Sequence, residues 1–144
     1  MIFLDSSILV AALVEDEDAH ESCLRLLARR GPAIWSHALA EVYSTLTGGR
    51  LGFRIAPGLA AELIETSLRP RLQLFDLPTD SLLAALQQAE PAGARGGALY
   101  DFLHLFVARE SGARQFYTLN ERHFTALARP GDPRIEMPAA PKPE

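Results

Sequence analysis

The chain has 144 residues, 48% of them hydrophobic and 22% charged, which fits one domain with a buried core. A net charge of −4 argues against broad binding of nucleic acid through a basic surface, although it leaves a nucleic-acid enzyme open. No apolar run approaches the roughly 20 residues of a membrane helix, no signal-peptide pattern opens the chain, and the single cysteine, Cys23, excludes an internal disulfide, so we expect a cytoplasmic protein.

The first half of the chain alternates short apolar strands with helices. Residues 2–5 (IFLD) predict a buried strand, and a helix over 6–14 follows, capped by Asp5 or Ser6. After an acidic break at 15–18 the pattern predicts three further elements: a helix over 20–30, a strand over 33–36 and a helix over 37–48.

The second half continues the alternation. The pattern predicts helices over 59–68, 81–90 (capped by Thr79 or Asp80), 98–112 and 121–128, and strands over 71–78, 114–120 and 134–137. Strands that alternate with helices are typical of a parallel sheet covered on both faces. The sequence therefore predicts one three-layer α/β domain over 1–137, followed by a tail over 138–144 with no core-forming residues.

Polar side chains fall where the predicted strands end. Asp5 ends the first strand, and Asn120 ends the strand over 114–120 with Glu121 beside it. Two carboxylates, Glu41 and Asp101, lie near the starts of predicted helices. Because ligands of open parallel sheets bind beyond the carboxyl ends of the strands, these groups are candidates for a site.

Glu41 and Asp101 stand among apolar residues, with no Lys or Arg four positions away to form a local ion pair. If they lie beside Asp5, each pair of charges 4 Å apart repels by about 4 kcal/mol at an effective dielectric near 20. A divalent cation would relieve that repulsion, and oxygen ligands without Cys or a His pair favour Mg²⁺ or Mn²⁺ over Zn²⁺. The alternative is three unrelated carboxylates: a helix cap at Asp5 and two locally hydrogen-bonded helix residues.

Four segments together resemble the PIN-domain ribonucleases, in particular the VapC-type toxins of toxin–antitoxin pairs. They are DSS at 5–7 after the first strand, SHALAE at 36–41, LYDFLHLFVA at 99–108 and YTLNERHF at 117–124. The resemblance covers about residues 2–137. It implies a PIN-like three-layer α/β/α fold with a parallel sheet of four or five strands.

The resemblance also implies roles for single residues. It places an acidic metal site on Asp5, Glu41 and Asp101, and puts Asn120 where the family often has a fourth acid. It gives supporting roles to residues beside this site: Ser6, Thr118 and Glu121.

The implied reaction is Mg²⁺- or Mn²⁺-dependent hydrolysis of an RNA phosphodiester. Arg50, Arg54 and Arg95, in predicted loops, are candidates to hold the RNA backbone, although a residue of this kind is more often a solvated surface residue. The implied partners are a small VapB-like antitoxin and a second copy of the chain.

Two other functions compete with this interpretation. A phosphatase or receiver domain also uses a strand-end Asp, but position 7 is Ser where the dehalogenase type of phosphatase has a second Asp, and the only Lys, Lys142, lies in the tail. A non-catalytic PIN-like binding module is favoured only by Asn120.

Overall fold

The computed structural model describes residues 1–140 and 142–143, and a five-stranded parallel sheet forms its centre. The strands are β1 (Ile2–Leu4), β2 (Ala33–Trp35), β3 (Gln73–Phe75), β4 (Gln115–Tyr117) and β5 (Arg134–Glu136). Their order across the sheet is β3-β2-β1-β4-β5, and every neighbouring pair is parallel. The central strand β1 is fully apolar and buried, as expected for a strand covered on both faces.

Within the described part of the chain, seven α-helices cover the two faces of the sheet. They are α1 (Ser6–Leu13), α2 (His20–Leu27), α3 (His37–Thr47), α4 (Pro57–Leu63), α5 (Thr79–Ala89), α6 (Ala98–Glu110) and α7 (Glu121–Leu127). Helices α1 to α4 pack on one face and α5 to α7 on the other, so two separate apolar clusters lie above and below the sheet. The predicted three-layer α/β/α fold is confirmed, with five strands.

Two predicted elements differ from the observed ones because of proline. The strand predicted over 71–78 is limited to Gln73–Phe75, since a 3₁₀ turn occupies Arg69–Arg71 before it and Pro78, which lacks an N–H, follows it. The prediction that Thr79 or Asp80 caps the next helix is wrong: Pro78 is the N-cap residue and no side chain caps α5. Thr79 and Asp80 instead lie in its first turn, where the Asp80 charge suits the helix dipole.

The helix predicted over 59–68 begins earlier and changes form. Helix α4 starts at Pro57, whose fixed φ suits a first helical position, and it continues beyond Leu63 as a π-helical turn over Ile64–Leu68. The predicted tail has no helix or strand at 138–140 or 142–143, and its other two residues lie outside the described part of the chain. No helix among the described residues is long and apolar enough to cross a membrane.

Candidate active site

Asp5 follows β1 directly and is 3% exposed. It is the N-cap of α1: its Oδ1 accepts hydrogen bonds from the backbone N–H groups of Ser7 (3.1 Å) and Ile8 (3.4 Å) and from the Ser7 hydroxyl (2.5 Å). Burial raises the pKa of Asp5, and its hydrogen bonds and the charge of His104 offset only part of that effect. Asp5 is therefore a helix cap whose negative charge is poorly compensated.

The end of β4 is joined to Asp5 by hydroxyl groups. The buried Thr118 donates to Asp5 Oδ2 (2.8 Å) and accepts from the backbone N–H of Asn120 (2.9 Å). Ser7 Oγ accepts from the backbone N–H of Leu119 (3.0 Å). These bonds fix the loop after β4 against the start of α1, so the residues that follow β1 and β4 contribute to one site.

Glu41, in the second turn of α3, is paired with a histidine from α6. Its Oε1 accepts a hydrogen bond from His104 Nε2, and His104 is 1% exposed. Burial alone would raise the pKa of Glu41, but the hydrogen bond and charge of His104, with a smaller effect of His37, bring it below its ordinary value. The second nitrogen of His104, Nδ1, is buried without a hydrogen-bond partner among the described residues.

Asp101 lies in the first turn of α6, half-buried, and its carboxylate makes no hydrogen bond or ion pair within the part of the chain that the structure describes. Burial raises the pKa of Asp101, as does the charge of Glu41, whereas His104 and His123 lower it. Like Asp5, this carboxyl group lacks a strong cationic partner.

These side chains line one pocket of about 780 Å³ at the carboxyl edge of the sheet. Asp5 and Ser6 directly follow β1, Glu41 lies on α3, Asp101 lies on α6, and Asn120 lies in the loop after β4. Because β1 is the central strand and helices that follow parallel strands begin at their carboxyl ends, the topology itself brings these positions together.

Of the other predicted site residues, one lines this pocket and the rest lie outside it. Arg50 lines the pocket, but Arg54 and Arg95 do not. Thr118 reaches the site only through Asp5, and Glu121 lines a neighbouring pocket of about 350 Å³ with Arg122 and His123. The two pockets meet at Leu119 and Asn120.

Residues that the sequence did not single out for the site also line the main pocket: Glu17, His37, Tyr100 and His104. The position of His104, one helical turn after Asp101, could have indicated from sequence that it lies near the site. Its pairing with Glu41 could not have been predicted in this way, because it joins residues 63 positions apart. The ring of His37, at the start of α3, stacks between Trp35 and Tyr100.

The donors present suit a hard divalent cation. Asp5, Asp101 and Asn120, which carry carboxylate and amide oxygens, line the pocket, and burial raises the pKa of both carboxyl groups, so a cation would favour their ionised forms. As they stand, no three His, Cys, Asp or Glu side chains among the described residues are close enough to hold one ion. The third acid, Glu41, is engaged by His104 instead. The residue types fit Mg²⁺ or Mn²⁺, whereas a complete ligand cluster is not formed.

The sequence model of the PIN domain matches residues 2–130, nearly the whole region that forms the sheet and its helices. The chain belongs to the PIN-domain family. Its relatives place it with the VapC proteins: it is 36% identical over 110 residues to Ribonuclease VapC27 of Mycobacterium tuberculosis, covering 76% of this chain and 78% of that one. It is 35% identical over 115 residues to Ribonuclease VapC40 of the same species, covering 79% and 83%.

Solved structures show the same fold for this VapC-type PIN domain. Mycobacterium tuberculosis VapC20, described as a Sarcin-Ricin loop cleaving toxin, superimposes with a TM-score of 0.67 at 21% identity, covering 90% of this chain and all of that one. VapBC2 from Rickettsia felis, bound to a DNA fragment from its promoter, gives 0.66 at 23% identity, covering 95% and 98%. The resemblance seen in the four sequence motifs is thereby confirmed at the level of family and fold.

Proposed function

We propose that this protein is a Mg²⁺- or Mn²⁺-dependent endoribonuclease, the toxin of a type II toxin–antitoxin pair. The observation that carries the proposal is the meeting of Asp5, Glu41 and Asp101 in one pocket, although they come from three separate parts of the chain. The names of the two curated relatives, both ribonucleases, support the substrate class.

In this proposal Asp5 and Asp101 bind the cation directly. Glu41 is a further ligand or the base that accepts a proton from the attacking water. The cation would supply positive charge to the scissile phosphate and lower the pKa of water. The hydrogen bond from Thr118 holds Asp5 in place, and Ser6 and Asn120 orient water or substrate at the pocket wall.

Binding of RNA phosphates at this acidic pocket requires positively charged side chains nearby. Arg50 is exposed at the pocket, and Arg122 and His123 line the neighbouring pocket that shares Asn120. We propose that the RNA strand passes across both pockets, with these side chains near its phosphates. Arg54 and Arg95 remain predictions for contacts farther along the strand.

The proposed partners are a VapB-like antitoxin and a second copy of the chain. Two solved structures of the same fold are complexes named VapBC, from Rickettsia felis and Salmonella typhimurium. We place the antitoxin on the layer formed by α1, α3 and α4, which borders the pocket. Leu59 on α4 is 50% exposed there, whereas Ile64 packs into the core.

The test is an RNA cleavage assay with the purified protein in Mg²⁺, in Mn²⁺ and in EDTA. We expect discrete cuts that EDTA abolishes and that fall by at least about 100-fold in Asp101→Asn, since removal of one metal-binding carboxylate removes charge where the phosphate reacts. Asp80→Asn is the matched control, because it makes the same chemical change at an exposed position on α5 that does not line the pocket.

Cuts that survive in EDTA, or that persist in Asp101→Asn, would contradict the proposed metal site. Binding of RNA without any cleavage in either metal would favour the non-catalytic PIN-like module instead.

A further inference from the structure

A stack of three aromatic rings leads from the core to the rim of the acidic pocket. Trp35, at the end of β2, is 7% exposed, and the ring of His37 lies on it with centroids 4.5 Å apart and planes at 26°. The ring of Tyr100 lies on His37 in turn, at 5.3 Å and 8°. His104 contacts Trp35 edge-on at 5.0 Å, so the base of the stack is also fixed. Tyr100 therefore rests on the half-buried His37, which in turn rests on the buried Trp35.

Tyr100 is nevertheless 47% exposed and lines the main pocket. One face of its ring is covered by His37. No other aromatic ring or cation of the described residues lies against it, and it belongs to neither apolar cluster. A single exposed aromatic side chain is ordinary in itself. A nearly parallel stack that ends in a ring beside an acidic site is a more specific arrangement.

The chemistry of that position suits a nucleobase. Unpaired bases of RNA stack on the faces of aromatic side chains, and such stacking tolerates different bases because each has a π face. Tyr100 precedes Asp101 in the chain, and both line the same pocket. A nucleotide whose phosphate lies at the carboxylates would therefore bring a base to the Tyr100 ring.

We infer that Tyr100, supported by His37 and Trp35, is a stacking platform for an unpaired nucleobase next to the phosphate at the acidic site. This inference rests on the proposed function for the identity of the substrate. It adds a binding residue that selects single-stranded RNA, because a base held in a duplex cannot reach the ring.

The test measures RNA binding apart from cleavage. In an Asp101→Asn background with Mg²⁺, a short single-stranded oligoribonucleotide carries 2-aminopurine at each position in turn, and its fluorescence reports stacking. We expect quenching at one position, retained in Tyr100→Phe and lost in Tyr100→Leu. Affinity should fall by about 5- to 150-fold in Tyr100→Leu, the range for loss of one base–aromatic stack.

Tyr43→Leu is the matched control. Tyr43 is 40% exposed on α3 but does not line the pocket, so its removal should change neither quenching nor affinity. The unfolding midpoint of Tyr100→Leu shows whether the variant folds, and Tyr100→Phe keeps the ring if it does not. Equal RNA affinity and quenching in folded Tyr100→Leu and in the Tyr100-containing protein would overturn the inference.

Cleavage of total RNA by the wild-type protein decides the proposed function separately. Cleavage together with binding that does not depend on Tyr100 would reject the platform alone. Binding and quenching that depend on Tyr100, without any cleavage, would reject the nuclease and keep the platform as part of an RNA-binding site.

Discussion

Asp5 shows how one residue can be both a helix cap and a candidate ligand. The cap uses Oδ1, whereas Oδ2 accepts one hydrogen bond, from Thr118. A carboxylate oxygen has about two lone-pair positions, so Oδ2 keeps one of them for a cation. The two explanations that the sequence left open for Asp5 are therefore compatible.

Two substitutions of Asp5 separate its roles. Asp5→Ala removes the cap and leaves the buried Thr118 hydroxyl without its acceptor, so we expect a loss of about 1–3 kcal/mol in the free energy of unfolding. Asp5→Asn keeps an oxygen for the cap but removes the charge, so RNA cleavage should be lost while the fold is retained. Denaturant unfolding and the cleavage assay measure the two effects.

The effect of Asp5→Asn on the free energy of unfolding should depend on pH, because the pKa of Asp5 is raised in the folded protein. A raised pKa means that the folded state binds the proton more tightly, so the ionised carboxyl group costs stability as the pH rises through the folded pKa. In EDTA, Asp5→Asn should thus be at least as stable as the wild-type protein at pH 7, and the difference should shrink toward pH 4. A difference in stability between the two proteins that grows on acidification would contradict the raised pKa of Asp5.

Cys23 is the opposite case, a buried group with no role in the site. Burial, with smaller contributions from the charges of Asp5 and Glu17, raises the pKa of its thiol to about 11. Roughly one thiol in a thousand is then ionised at pH 8. We expect alkylation by iodoacetamide at pH 8 to be slow in the native protein and fast in denaturant. Rapid native labelling would show that α2 opens readily.

At the scale of elements, helix α4 differs most from the pattern of its sequence. It begins at a proline, and its extension contains a π-helical turn, a form that is rare in proteins and common at functional sites. The π-helical turn is followed by a 3₁₀ turn containing Pro70, whose ring cannot continue an α-helix. The extension buries Leu68 in the core and packs the partly buried Ile64 against it, while α4 leaves Leu59 exposed.

The exposed side of α4 carries the prediction about the antitoxin. Leu59→Asp should weaken binding of the proposed VapB-like antitoxin by at least about 10-fold, because it places a charge in an apolar contact. Its unfolding midpoint should not change, since Leu59 is 50% exposed. Calorimetric titration with the partner measures the effect. Leu83→Asp, at a leucine that is 53% exposed on α5 in the opposite layer, is the control.

An equal loss of affinity in the two variants would place the antitoxin elsewhere or indicate that it covers both layers. Unchanged affinity in Leu59→Asp would remove α4 from the proposed interface.

At the scale of the whole molecule, a net charge of −4 is combined with a pocket that collects Asp5, Glu17, Glu41 and Asp101. Such a field repels RNA and stores electrostatic repulsion in the folded protein. Both costs fall when a divalent cation binds. The stability of the molecule should therefore depend on metal, which links the proposed chemistry to a property of the entire fold.

Thermal unfolding with and without Mg²⁺ tests that link. At a concentration 100 times its dissociation constant, a ligand that binds only the folded state adds about 2.7 kcal/mol, or roughly 5–10 °C in the unfolding midpoint for a domain of this size. We expect EDTA to reverse the gain and Asp101→Asn to show less of it. An equal gain in both proteins would mean that the ion binds away from the pocket.

The order of the elements was predictable from sequence alone, because alternating buried strands and amphipathic helices leave few ways to bury their apolar faces. The sequence also indicated Asp5, Glu41 and Asp101, since carboxylates in apolar surroundings without local partners are unusual. Its element boundaries were less accurate where prolines end a strand or where a helix changes to a π turn, because those ends depend on backbone hydrogen bonds.

The contacts between distant side chains could not be predicted and depend on how the chain folds. His104 pairs with Glu41 across 63 positions, and Trp35, His37 and Tyr100 form one stack from two distant segments. Local periodicity has no information about such contacts, because the sheet order β3-β2-β1-β4-β5 creates them. Sequence also did not distinguish Arg50, which lines the pocket, from Arg54 and Arg95, which do not.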